Sequence, residues 1–151
     1  MPRLYCDDNP SMVAYVLDGG GSDYQNLPGK RTAMEAEYIA IIYGLNEYFL
    51  KWNKELDARQ DDIDTEMTEL MGGMEFGKVA SPASETKRPL PPPVLVCCDN
   101  EVVVKQLSRE YHIGNDKLRK LAQMIWQMTA MVKVKYQWIP RKENLAGKML
   151  K

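Results

Sequence analysis

The segment PVLVCCDN at residues 93–100 constrains the fold more than any other part of the chain. It is an unbroken apolar run closed by an acid. A strand with one face in water alternates in polarity, whereas a continuous run reads as a strand buried on both faces and paired in parallel. The remaining elements fit around it. RLYCD (3–7) is a second apolar run ending in an acid, and MVAYVLD (12–18) is a strand followed by the turn GGGSD. A third strand is expected over 24–31. VKVKYQWIP (132–140) alternates as a fifth.

Leu45, Tyr48, Phe49 and Trp52 extend an apolar stripe at helical spacing, predicting a helix from about Ala33 to Trp52. Helices are also expected over 101–111 and, after the HIGND break, over 117–131, where Met124, Trp126, Met128 and Met131 read as core. ENLAGKMLK starts a last helix. The order of three strands, helix, strand, two helices, strand, helix predicts an α/β fold, a five-stranded mixed sheet with helices packed on both faces.

Length and composition limit what surrounds this sheet. At 151 residues the chain reads as a single domain over 1–151, large enough for a core without staples. Residues 54–92 break the pattern, first with the acidic, helix-compatible ELDARQDDIDTEMTEL and then with a Gly-, Ser- and Pro-rich stretch. They are expected to form a disordered insertion. No segment approaches the roughly 20 apolar residues of a membrane span, and MPRLYCDDNP has no signal-peptide h-region, so a cytoplasmic location is expected. Cys6, Cys97 and Cys98 lie in apolar runs without metal-site spacing and read as reduced core residues. The net charge of −1 hides a polarised chain. Residues 1–93 carry 9 Lys+Arg against 16 Asp+Glu, and residues 94–151 carry 11 against 5. A basic surface for a polyanion must come mainly from the C-terminal part.

The helix opening, RTAMEAEYIA, holds two glutamates. Glu35 follows Thr32 at capping-box spacing. Glu37 has no such local use and sits among Met34, Ala36, Tyr38, Ile39 and Ala40, where a carboxylate is costly unless paired or metal-bound. Asp7 and Asp99 close the two apolar strands. Side by side in parallel, those strands bring both acids to one carboxyl edge, where Glu37 can join them. Three convergent carboxylates repel by up to about 4 kcal/mol per pair at 4 Å and an effective dielectric of 20, so they need a cation. Oxygen ligands favour Mg²⁺ or Mn²⁺, and a pair of such ions serves phosphodiester hydrolysis. Arg141 and Lys142, beside this edge, are candidates for phosphate contacts. His112 reads as a surface residue and Trp138 as packing.

Three motifs carry a family resemblance. T-x-x-x-A-E-x-x-A appears as Thr32, Ala36, Glu37 and Ala40; D-x-x-x-V-x-x-Q-L as Asp99, Val103, Gln106 and Leu107; and W-x-P-R-x-x-N as Trp138, Pro140, Arg141 and Asn144. The chain resembles type I ribonuclease H, including its bacterial and reverse-transcriptase-like members, over nearly everything except residues 54–92. The resemblance implies a ribonuclease H-like fold and an endonuclease that cuts the RNA strand of RNA–DNA hybrids. It implies two Mg²⁺ or Mn²⁺ ions on Asp7, Glu37 and Asp99, and nucleic-acid contacts from Thr32, Arg141, Lys142 and Asn144.

Three departures qualify it. The family's Asp-Gly is Asp7-Asp8 here. The paired asparagines that contact RNA are Ala33 and Met34. The fourth acid expected after Asn144 is missing, with Gly147 or Lys148 in its place, and Asp8 and Glu143 are the candidates to substitute for it. Two alternatives follow: a catalytically weakened binding module of a larger nucleic-acid complex, or a DNA-directed nuclease of the same superfold.

Overall fold

Strand β1 (Arg3–Asn9) lies at the centre of a five-stranded sheet. It pairs antiparallel with β2 (Met12–Leu17), which pairs antiparallel with β3 (Ser22–Asn26). On its other side β1 pairs in parallel with β4 (Val94–Cys98), and β4 in parallel with β5 (Val134–Trp138). The computed structural model describes residues 1–27, 29, 31–70 and 90–150, the side chains of 54–70 excepted. They divide into two compact units, Met1–Tyr48 with Pro92–Lys151, and Phe49–Pro91. The first holds the sheet and the site.

The continuous apolar run behaves as read: Val94, Val96, Cys97 and Cys98 are buried, and β4 has parallel neighbours on both sides. Leu4 and Cys6 of β1 share a face with Val96 of β4 and Tyr15 of β2. Helix α1 (Ala33–Leu70) covers that face through buried Tyr38, Ile41 and Leu45. Its Gly44 permits a close approach, since a Cβ there would stand 2.9 Å from Cys6 Sγ and 3.2 Å from Tyr15 Cβ. Helix α2 (Glu101–Leu107) is joined to α1 by the Tyr38 hydroxyl donating to Gln106 Oε1 at 2.6 Å. Helix α3 (Asp116–Met128) is joined to α2 by Trp126 Nε1 donating to the Leu107 carbonyl at 3.1 Å. Asn100 and Asn115 cap these two helices by accepting from backbone N–H groups in the first turn.

Several expectations change. α1 does not stop near Trp52 but continues to Leu70, because residues 53–71 contain helix formers and no Gly or Pro. The segment expected as a disordered insertion therefore begins as helix, and residues 71–89 lie outside the described residues. β3 ends at Asn26, ahead of the LPG segment, and is exposed along its whole length as an edge strand. On α3, which ends at Met128, the buried stripe is Leu118, Ala122 and Ile125; Met124 is exposed, being off that stripe at helical period, Trp126 and Met128 are half-buried, and Met131 is exposed in the turn beyond the helix.

The last helix is a 3₁₀ turn at Arg141–Glu143 followed by a 3₁₀ segment at Leu145–Leu150, short and interrupted by Gly147. That segment packs on β1 and β2 on the face opposite α1, so among the described residues the helical cover of that face is this short segment. The cysteines are free and buried, as expected. No described helix is long and apolar enough to cross a membrane.

Candidate metal centre

The parallel register of β1 and β4 ends at Tyr5↔Cys97. Beyond it the two strands no longer pair, and the acids that close the apolar runs fall into the gap at the carboxyl edge. Asp7, Glu37 and Asp99 each bring a carboxylate oxygen within 4.8 Å of the other two. Asp7 and Glu37 are buried, and Asp99 is partly so. The sequence brought these three together by strand position and by the oddity of a carboxylate in an apolar helix.

Each acid has a support that orients it. Asp7 Oδ1 accepts from the Asp8 N–H at 2.8 Å. Glu37 Oε2 accepts from the Cys98 thiol at 3.3 Å. Burial raises Cys98 well above the usual thiol range, so this sulfur keeps its proton and remains a donor. Asp99 is held twice, because its side chain accepts from Asn144 Nδ2 at 3.3 Å and its carbonyl accepts from Trp138 Nε1 at 3.1 Å.

Burial, then repulsion among the acids, sets the protonation of the metal-free site. The Asp7 carboxyl is raised to about 6, by burial first and then by the Asp99 and Asp8 charges, against the Asp8 N–H and Arg141, which lower it. Glu37 is raised to about 10, by burial first and then by a carboxyl–carboxyl hydrogen bond and repulsion from Asp8. Asp8 is raised as well, chiefly by burial. Carboxyls driven toward the neutral form and packed within metal-ligand distance are a donor set that a hard divalent cation would ionise and hold. A buried Asp8 Oδ1 without a hydrogen-bond partner beside them also fits such an ion.

Two clefts meet at this cluster. One is lined by Asp8, Ala33, Glu37, Asp99, Trp138 and Arg141, among others. The other is basic, with Arg141, Lys142 and Lys148 around Asp7 and Gly147. Arg141 and Lys142 are exposed there, as a phosphate contact requires. Thr32 is exposed, but its Oγ1 accepts from the Glu35 N–H at 3.1 Å and so caps α1.

Asn144 is not placed to meet a nucleic acid. It is 2% exposed and bonds inward to the Cys6 carbonyl, Asp99 and the Ala146 N–H, so it is a scaffold residue. Glu143 is exposed and lines neither cleft. His112 is on the surface as expected. Trp138, read as packing, is 47% exposed and lines the first cleft. Its outward orientation had no signal in the sequence beyond its position in W-x-P-R.

The five-stranded mixed sheet of order β3-β2-β1-β4-β5, with an acidic cluster at its carboxyl edge, is a ribonuclease H-like fold. Residues 91–150 match the family described as reverse transcriptase-like. Among solved structures, the N-terminal RNase H domain of a Mycobacterium tuberculosis protein is similar with 19% identity and a TM-score of 0.60, over 97% of this chain and 88% of that one. RNase H1 from the archaeon Halobacterium salinarum is similar with 15% identity and a TM-score of 0.60, over 99% and 91%. LC11-RNase H1, solved in complex with an RNA/DNA hybrid, is similar with 14% identity and a TM-score of 0.61, over 97% and 90%. No curated protein matches the chain significantly.

Proposed function

We propose that this chain is a metal-dependent endonuclease that hydrolyses the RNA strand of RNA–DNA hybrids in the cytoplasm. The observation that carries this reading is the convergence of Asp7, Glu37 and Asp99 within 4.8 Å at the carboxyl edge. The complex of LC11-RNase H1 with an RNA/DNA hybrid supports the choice of substrate.

Asp7, Glu37 and Asp99 would hold two Mg²⁺ or Mn²⁺ ions. When bound, such ions activate an attacking water and stabilise the leaving oxygen of a phosphodiester. The protein's own groups fix the geometry. Asn144 and Trp138 hold Asp99 from two sides, and the Cys98 thiol fixes one oxygen of Glu37. Arg141 borders both clefts, where it steers the phosphate backbone toward the acids, with Lys142 extending the positive surface. Thr32 offers a hydroxyl proton at the mouth of α1 while its oxygen caps the helix.

A second reading, a binding module with a weakened centre, is favoured by one observation: Gly147 and Lys148 occupy the segment beside Asp7 where the resemblance expects an acid. Cleavage of end-labelled hybrid, duplex DNA and duplex RNA, each with Mg²⁺, Mn²⁺ or EDTA, separates the readings. Metal-dependent cutting of the RNA strand of the hybrid alone is expected. Binding without cutting in either metal would favour the module, and cutting of duplex DNA would change the substrate.

A further inference from the structure

Asp8 follows Asp7 on β1, so strand alternation turns it to the face that α1 covers, opposite Val13 of β2. Glu37 comes down from α1 onto the same face. Asp8 lines the first cleft there together with Glu37 and Asp99. Asp8 Oδ1 is buried without a hydrogen-bond partner among the described residues. Once the neighbouring acids are ionised, a buried carboxylate oxygen among them is a lone pair placed for a cation.

The other sources of a fourth acid are closed. A Cβ on Gly147 would lie 2.8 Å from Asp7 Oδ2, so a side chain there displaces Asp7 before it can assist it. Lys148 brings a positive charge, and Glu143 is exposed outside both clefts. On the reading that this is a metal centre, we propose that Asp8 is its fourth carboxylate, delivered from β1 on the Glu37 side in place of an acid from the C-terminal segment.

Calorimetric titration of the full chain with Mn²⁺, alongside Mn²⁺-dependent thermal melting, tests this without reference to activity. Asp8→Asn keeps the shape and removes the charge. It should weaken Mn²⁺ binding by about tenfold or more, as loss of a ligand or its direct partner does. Metal-free Asp8→Asn should melt at or above the wild type, because repulsion is relieved, and Asp8→Ser serves if Asn fails to fold. Glu143→Gln should bind Mn²⁺ like the wild type. Wild-type affinity in Asp8→Asn overturns the assignment of Asp8 alone. A wild type that binds no Mn²⁺ overturns it together with the metal centre.

Discussion

Replacing Asn144 with alanine should be among the most damaging single changes outside the acids. The side chain is buried and makes three bonds: Nδ2 donates to the Cys6 carbonyl at 2.9 Å and to Asp99 Oδ2 at 3.3 Å, and Oδ1 accepts from the Ala146 N–H at 3.2 Å. Alanine strands a buried carbonyl on β1 and a buried N–H in the 3₁₀ segment. Each unsatisfied group costs about 1–3 kcal/mol, and Asp99 loses a partner as well, so about 4 kcal/mol of destabilisation is expected. At roughly 2–4 °C per kcal/mol for a chain of this size, the melting temperature should fall by about 10 °C. Urea unfolding followed by circular dichroism measures the loss. Asn144→Asp keeps the acceptor for Ala146; it should fall between alanine and wild type only if the new carboxyl stays protonated and so can still donate one bond, and should otherwise be worse than alanine. A destabilisation below about 1 kcal/mol for Asn144→Ala would refute the claim that this side chain ties the C-terminal segment to β1 and β4.

Four further outcomes follow from the acids and the basic cleft. Mn²⁺ at about 100 times its Kd should stabilise the wild type by about 2.7 kcal/mol, and metal-free Asp99→Asn should melt no lower than the wild type while losing most of that response; an equal response in both would remove Asp99 from the centre. The metal-free protein should lose stability as pH rises. A carboxyl raised in the folded state contributes fully below its unfolded value and less as pH passes its folded value, so Asp7 acts between about 3.8 and about 6 and Glu37 from about 4.5 toward about 10. Melting in EDTA across this range should show the decline, and Asp7→Asn should flatten its acidic part. Finally, Lys148→Asp should lower the metal concentration needed for cleavage, whereas Gly147→Asp should raise it by pushing Asp7 aside, and Arg141→Ala with Lys142→Ala should flatten the salt dependence of hybrid binding. Metal titrations of cleavage and binding isotherms at several salt concentrations read these out.

The sequence by itself determined the sheet and the three acids. An apolar run with no polar alternation, as in PVLVCC, can be satisfied only by partners on both faces and both edges, and β4 has them. A glutamate inside an apolar helical segment carries its own cost, which marked Glu37 before any neighbour was known. Helix α1 was legible at its start and not at its end, because an acidic stretch without an apolar face leaves only weak propensities to tell helix from disorder. Tertiary structure alone decided how the site is held. Asn144 and Asp99 are far apart in the chain and become partners only when the 3₁₀ segment folds back across β1, which turned an expected nucleic-acid contact into a buried strut. Asp7 and Asp8 face opposite ways on β1, but only the packing of α1 put Glu37 on the side of Asp8 and only the C-terminal segment put Gly147 against Asp7. Local pattern records which side of an element is apolar; it does not record which distant side chain arrives at a given edge, and a metal centre is made of such arrivals.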